Sequence, residues 1–289
     1  MGEVAELRLL VPGDELRLFE FLERYVDTSL FLFSNVERAG LLDRGQPLQA
    51  TYVAAVDATG TITAVAGHAW NGNVILQGDA GLEAAACRAV ELSGRAVRGL
   101  IGPWSLVLRA RTGLGLDPTT TTHDGQELLF ALSLDVLRRP SLLQQPELVV
   151  RAPSEAETTR VLAGWRVDYM VETLGSKRSP ELEAAALENM QGNRKAGLLW
   201  VLARGDELVA MTSFNASARG IVQVGGVYTP PGLRSRGYAR AAVAGSLQCA
   251  RERGAVRSIL FTAEYNQAAR RCYTSLGYEV IGDFGLVLF

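Results

Sequence analysis

A short basic loop between an apolar strand pattern and an alanine-rich helix pattern carries the residues best suited to chemistry. In "GIVQVGGVYTPPGLRSRGYARAAVAG" the spacing Arg234-x-x-Gly237-x-Ala239 falls where the strand pattern gives way to the helix pattern. The start of a helix presents unpaired backbone N–H groups and about half a positive charge. Gly237 removes a Cβ that would block close approach of a ligand, and arginine forks match phosphate oxygens. The loop therefore predicts a pyrophosphate site.

The loop is not one of the two best-known phosphate motifs, because it has neither G-x-x-x-x-G-K-[ST] nor G-x-G-x-x-G. The stretch "VYTPPGLRSRGYA" instead resembles the acetyl-CoA-binding motif of the GNAT (GCN5-related) N-acetyltransferases. Further along the chain, "YNQAARRCYTSLGY" resembles the Asn…Ala…Tyr-x-x-x-Gly-Tyr segment of the same family. The resemblance covers roughly residues 149–289 and implies acetyl-CoA as co-substrate, with no metal.

The resemblance also implies roles for individual residues. In the family, the segment that ends the strand pairs with the pantetheine arm and the loop holds the pyrophosphate. The expected cofactor contacts are Val227, Tyr228, Thr229, Arg234, Ser235, Arg236, Gly237, Tyr238, Ala239, Arg240 and Asn266. Tyr273 matches the tyrosine that protonates the leaving thiolate, with a core aromatic on an amphipathic helix as the alternative.

A carboxylate is needed to take a proton from the acceptor amine, directly or through water. In "WRVDYMVETLG" Asp168 and Glu172 are four residues apart, which places them on one face of a helix. We predict Glu172 as the catalytic base, with Asp168 and Glu264 as further candidates; the alternative for Asp168 and Glu172 is that they are ordinary solvated helix acids. Gln223 and Asn215, on neighbouring strand patterns, are polar candidates for substrate contact.

The order of elements appears twice in the chain. Each half reads as helices, three antiparallel strands, helix, strand, helix and a final strand or strand pair, with a break around "LRRPSLLQQPE". This pattern predicts an α/β (α+β) protein with two GNAT-like domains in tandem, each a mixed, mostly antiparallel sheet flanked by helices. The expected domains are 1–145 and 149–289. In the first half the corresponding turn, "LQGDAGLEAA", carries Asp79 and Glu83 instead of arginines, so this half is expected to be degenerate and to lack the acetyl-CoA motif.

Composition narrows the functional classes. The 289 residues have a formal net charge of -2, which argues against a nucleic-acid partner, and no apolar run approaches a membrane span. Three scattered cysteines and two histidines favour neither a disulfide framework nor a metal site. We expect a cytoplasmic monomer or homodimer that acetylates a primary amine of a small molecule or peptide. A non-catalytic acetyl-CoA-binding sensor or scaffold, and an enzyme that uses a longer acyl-CoA, are the alternatives.

Overall fold

The computed structural model of the chain describes residues 6–289, which form two compact units. The N-terminal unit comprises Met1–Leu128 together with Gly282–Phe289, and the C-terminal unit comprises Leu129–Ile281. The final segment of the chain thus belongs to the N-terminal unit. These compact units are bounded differently from the domains 1–145 and 149–289 expected from sequence, and those domain bounds stay a prediction.

The N-terminal unit is a mixed sheet with helices packed on it. Its strands are β1 (Glu6–Leu9), β2 (Ala50–Val56), β3 (Ile62–Ala69), β4 (Asn73–Gly78), β5 (Gly99–Gly102) and the first part of β6 (His123–Ser133). Its helices are α1 (Glu15–Leu22), α2 (Leu30–Ala39), α3 (Leu82–Ser93) and α4 (Trp104–Gly113). Strands β1 to β4 are antiparallel neighbours and β4 pairs with β5 in parallel. The chain's last strand pairs antiparallel with β5 through Gly285–Leu288, so residues from both ends of the chain build this sheet.

The C-terminal unit repeats this plan. Its strands are β7 (Leu148–Arg151), β8 (Leu199–Arg204), β9 (Glu207–Ala218), β10 (Ile221–Tyr228), β11 (Arg257–Ala263) and the start of β12 (Glu279–Leu288). Its helices are α5 (Glu155–Glu157), α6 (Ala163–Leu174), α7 (Pro180–Lys195), α8 (Tyr238–Glu252) and α9 (Gln267–Leu276), with a π-turn at Thr158–Leu162. The sheet order is β6-β11-β10-β9-β8-β7, antiparallel from β7 to β10 and parallel between β10 and β11.

Two hydrophobic clusters cover the two faces of the sheet in the C-terminal unit. On one face, Leu162 and Met190 from the helical region pack on Val201 and Tyr228. On the other, the alanine-rich helix α8 packs on a second set of strand residues. Because alanine side chains are small, α8 lies close against the sheet, with its residues from Ala241 to Leu247 buried. The two helical layers hold β10 between them, and β10 positions the candidate site.

The predicted fold class is confirmed: both units are mixed, mostly antiparallel sheets flanked by helices. Two local expectations were wrong. Within the described residues each half begins with a short strand rather than a helix, β1 and β7, because a four-residue strand at a sheet edge is too short to show a clear period-2 pattern. The expected strand pair from Tyr278 to Phe289 is one strand, β12. No helix within residues 6–289 is both long and apolar enough to cross a bilayer.

Candidate functional site

Strands β10 and β11 separate along their length. Their parallel pairing runs from Ile221↔Arg257 to Gln223↔Ile259, although β10 continues to Tyr228. Beyond Gln223 the register of β10 against β9 shifts twice, and Gly226 and Val227 have no partner in that described register. Such bulges bend a strand and leave backbone groups unpaired. The facing edges of β10 and β11 thus offer backbone N–H and C=O groups to an extended ligand.

The bulge depends on a glycine. Gly226 has φ of +57°, and a Cβ placed there would stand 2.8 Å from the Ser213 Oγ. That hydroxyl donates to the Gly225 carbonyl at 3.1 Å, which fixes β9 against the bulge. Nearby, the Gln223 side chain donates to the Val224 carbonyl at 2.8 Å, while its own Oε1 is buried without a partner. The backbone where β10 leaves β11 therefore has a defined conformation, and the Gln223 Oε1 beside it is a hydrogen-bond acceptor without a partner in the described residues.

The basic loop follows β10 directly. A 3₁₀ turn at Pro231–Leu233 is followed by Ser235 at φ of +63° and Gly237 at φ of +80°, both left-handed. Alternation of this kind turns successive N–H groups toward one point and favours an anion. Helix α8 then begins at Tyr238 with no side-chain cap from Gly237, so no cap occupies the N–H groups of its first turn. A helix start with free N–H groups after such a loop is suited to binding an anion.

The arginines of the loop have different partners. Arg234 donates through Nε to the Thr229 carbonyl at 2.9 Å and pairs through Nη2 with Glu172 at 2.5 Å. Arg236 donates to the Gly232 carbonyl at 3.2 Å. The Nε of Arg240 is buried and has no partner within the described chain. Arg236 is exposed and has one hydrogen bond, so its charge is available to an anion, whereas Arg234 is exposed but paired with Glu172.

Glu172 lies beside the loop, where it connects helix α6 to β10. One oxygen accepts the Tyr228 hydroxyl at 3.2 Å and the other accepts from Arg234. Burial, with the Glu172 charge, raises the pKa of Tyr228 to about 12. The hydrogen bond to Glu172 raises the pKa of Arg234. Glu172 is thus close to the loop, but as the partner of two groups rather than as a carboxylate open to an amine.

The other carboxylates predicted as bases lie elsewhere. Asp168 forms an ion pair with Arg178, which also contacts Glu183 at 3.1 Å. Glu264 is exposed at the end of β11, and its backbone carbonyl accepts from Arg270. The structure therefore brings Glu172, and not these two, into direct contact with Arg234.

Tyr273 is buried on α9 between two aromatic rings, with centroids 6.3 Å from Phe130 and 6.0 Å from Tyr278. Burial raises its pKa well above the ordinary value, and nearby Cys272 and Tyr169 act in the same direction. The hydroxyl therefore stays protonated at neutral pH and can donate a hydrogen bond.

Three further predicted residues, Asn266, Tyr238 and Asn215, have side chains that contact other parts of the fold. Asn266 caps α9, with Oδ1 accepting from the Ala269 N–H at 3.1 Å. The Tyr238 side chain is buried in the α8 cluster and its hydroxyl accepts from Arg204 at 3.0 Å. At the loop, Tyr238 contributes the first backbone N–H of α8. Asn215 lies against Gly225, since a Cβ on that glycine would fall 2.0 Å from the Asn215 Nδ2.

The corresponding turn of the N-terminal unit is occupied by its own charges. Arg109 pairs with Asp79 at 2.6 Å and with Glu83 at 2.7 Å at the start of α3. The end of β5 stays close to β4, because a Cβ on Gly102 would stand 2.8 Å from the Leu76 carbonyl oxygen, although the paired register ends at Ile75↔Ile101 and β4 continues to Gly78. This unit therefore lacks the basic loop, and its β5 ends one residue beyond its last described pair with β4, whereas β11 continues beside β10 to Ala263.

Sequence reasoning missed Arg166, which lies on α6 beside the bulge of β10. A signal was available in "GWRVDYM": an arginine stands between Trp165 and Val167 on a helix whose neighbouring residues pack on the sheet. A cation among such packed residues has to be stabilised by a contact or a ligand close to it.

Among residues 6–289, no group of three or more His, Cys, Asp or Glu side chains is arranged to hold a metal ion.

Comparison with known proteins agrees with this architecture. Residues 162–278 match the family model described as the acetyltransferase (GNAT) family. A search of curated proteins found no match. The chain has the tandem GNAT fold, and the part of it that matches the GNAT family model lies in the C-terminal unit.

Three solved structures align over nearly the whole chain. A Drosophila protein has a TM-score of 0.72 at 14% identity, covering 100% of this chain and 99% of its own. A GCN5-related N-acetyltransferase from Sphaerobacter thermophilus has a TM-score of 0.58 at 16% identity, covering 99% and 96%. A tandem GNAT protein from the clavulanic acid biosynthesis pathway has a TM-score of 0.52 at 14% identity, covering 98% and 97%. At these identities the likeness is one of fold.

Proposed function

We propose that this chain is an acetyl-CoA-dependent N-acetyltransferase that transfers an acetyl group directly to a primary amine of a small molecule or peptide. The observation that carries the proposal is the separation of β10 from β11 immediately before an uncapped helix start and a basic loop. The extended pantetheine arm of acetyl-CoA needs a strand edge with free backbone N–H and C=O groups. The pyrophosphate needs several N–H groups that point to one place, with cations beside them. The C-terminal unit supplies both, in the order in which they would be needed.

The residues present fit acetyl-CoA. Arg234, Arg236 and Arg240, with the N–H groups around Gly237, would hold the pyrophosphate. The unpaired backbone of Gly226 and Val227 would receive the acyl end of the arm. When bound, acetyl-CoA supplies an acetyl group activated as a thioester. The N-terminal unit, with Arg109 closing the equivalent turn, is proposed to have no such site.

Three steps then fall to this chain's own groups. A backbone N–H at Gly226 or Val227 donates to the acetyl carbonyl oxygen and stabilises the negative charge that develops there. Glu172 accepts the proton of the amine, directly or through water, as the carbon–nitrogen bond forms. The Tyr273 hydroxyl donates to the departing sulfur as the carbon–sulfur bond breaks. Because Arg234 is shared, its turning toward the pyrophosphate would release one oxygen of Glu172 for this work.

A non-catalytic acetyl-CoA sensor is the second candidate, and one observation favours it. Glu172 holds both the Tyr228 hydroxyl and Arg234, so the carboxylate nearest the loop is occupied. If that pairing persists with the cofactor bound, binding would proceed without an available base. The two functions therefore share one binding site and differ in the state of Glu172.

The deciding experiment is thiol-release kinetics with acetyl-CoA over a broad panel of primary amines, alongside a calorimetric titration of acetyl-CoA. Amine-dependent thiol release identifies the transferase. Tight acetyl-CoA binding with thiol release only at the background rate for every amine identifies the sensor. Absence of binding in the titration would contradict both candidates, since both rest on the loop.

A further inference from the structure

Arg166 places an unpaired cation beside the bulge of β10. Its Nη1 lies 3.6 Å from the point where a Cβ on Gly226 would stand. The guanidinium stacks on the Tyr169 ring, 5.2 Å from its centroid, and its Nε is buried without a hydrogen-bond partner in the described structure. The side chain is therefore fixed by stacking while part of its donor set is unused.

The acids of the same helix do not neutralise Arg166. Asp168 pairs with Arg178, and Glu172 pairs with Arg234. Burial lowers the pKa of the Arg166 guanidinium, which is the direction expected for a cation removed from water without a compensating carboxylate. A desolvated charge without a partner is unfavourable, and proteins keep such groups mainly where a ligand supplies the counter-charge.

The position of Arg166 distinguishes the acceptor from the cofactor. The phosphates of acetyl-CoA have the loop arginines, which begin beyond Thr229. At about 3.3 Å per residue, Gly226 lies roughly 10 Å back along β10 from Thr229. If the pantetheine arm of acetyl-CoA enters at the loop, its acyl end lies near Gly226. The acceptor amine must then bind at that same place. Arg166 thus stands beside the site where the acceptor reacts.

We propose that the acceptor carries a carboxylate near its amine, as an amino acid does, and that Arg166 binds this carboxylate and aims the amine at the thioester. This proposal rests on the proposed transferase function and specifies its substrate class. A planar guanidinium binds a carboxylate through two parallel hydrogen bonds, which fixes orientation as well as position. Arg166 is therefore a specificity residue that touches the substrate.

The test uses the full chain and pairs of amines that differ only in the carboxylate, namely amino acids and their decarboxylated amines. Wild-type protein should prefer the amino acid by kcat/KM, and Arg166→Met should raise KM for the amino acid about 10- to 100-fold, the range for a hydrogen bond to a charged group. KM for the decarboxylated amine and the affinity for acetyl-CoA should stay within about twofold. Arg166→Lys, which keeps the charge without the fork, should fall between. Arg160→Met is the matched control, because Arg160 is an exposed arginine six residues earlier, in the π-turn that precedes α6.

Contrary outcomes are distinct from failure of the transferase function. Acetylation of amines with no preference for the carboxylate, or equal losses with both members of a pair in Arg166→Met, overturns this inference and leaves the transferase intact. A preference for aminoalkyl phosphates over amino acids overturns the choice of carboxylate. If no amine turns over, N-acetyl amino acids are titrated calorimetrically in the presence of CoA. Binding that is lost in Arg166→Met then supports the carboxylate site without turnover, and no binding by wild-type protein refutes it.

Discussion

Replacing Gly237 with glutamate tests the pyrophosphate site with a single side chain. Gly237 is left-handed at φ of +80°, a conformation that costs other residues about 1–2 kcal/mol. Space is not the obstacle, because a Cβ there would meet Leu142 Cδ2 at 3.6 Å and Arg240 Nη2 at 3.8 Å, both ordinary contacts. Gly237→Glu should therefore remain folded, with a free energy of unfolding lower by about 1–2 kcal/mol.

The effect on binding should be larger than the effect on folding. A carboxylate about 5 Å from a phosphate charge repels it by about 3 kcal/mol at an effective dielectric of 20, and solvent screening at this half-exposed position reduces that to about 1–2 kcal/mol. Loss of close backbone approach removes N–H bonds to a charged ligand, each worth about 1.5–3 kcal/mol. Together these terms predict a Kd for acetyl-CoA raised at least about 100-fold.

The assay is a calorimetric titration of acetyl-CoA, with urea unfolding of the same samples. The matched control is Gly205→Glu, at the tip of the β8–β9 turn, where φ is +57° and the Cβ position is open. This variant should carry a similar folding penalty and bind like wild type. Undiminished binding by Gly237→Glu would refute the pyrophosphate assignment, and equal loss in both variants would show that the effect is one of folding.

Three further outcomes are expected. Tyr273→Phe should lower kcat at least about 10-fold with calorimetric acetyl-CoA affinity unchanged; an unchanged kcat would remove this hydroxyl from the leaving-group step. Titration of acetyl-CoA should saturate at one molecule per chain, and a second equivalent would contradict the closed turn at Arg109. In the C-terminal unit, the hydrogen bond from Arg151 lowers the pKa of Glu157 from 4.5 to about 2. A depressed carboxyl pKa stabilises the fold above the unfolded value and stops doing so as pH falls through the folded value. After allowance for exposure, Glu157→Gln should cost about 1–2 kcal/mol in urea unfolding at pH 7 and progressively less between about pH 4.5 and 2. A cost independent of pH would exclude the ion pair as its source.

Local chemistry explains why the loop could be recognised from sequence. The residues from Thr229 to Ala239 are consecutive, so their types and spacing largely specify a turn, a left-handed glycine and a helix start. Likewise, the acids at Asp79 and Glu83 marked the first half as different. The cation that pairs with them, Arg109, comes from another helix and could not be read from the turn itself.

The pairing of carboxylates was beyond sequence reasoning. Asp168 and Glu172 are equivalent by helical spacing, yet one meets Arg178 and the other meets Arg234, 62 residues away. Which acid reaches the loop is determined by how α6 packs on β10, and the periodicity of a helix does not reveal how the helix packs. The same holds for Arg166, which is important because the acids of its own helix pair with other arginines and do not neutralise its charge.

The sequence by itself determined the repeated order of elements, the fold class and the basic loop, because each depends on residues close together in the chain. Only the tertiary structure decided where β10 leaves β11, which charges meet, and that Gly282–Phe289 joins the N-terminal unit. These features depend on strand register and helix packing between distant segments. Their energies come from contacts made only once the chain has folded, so no local pattern could specify them.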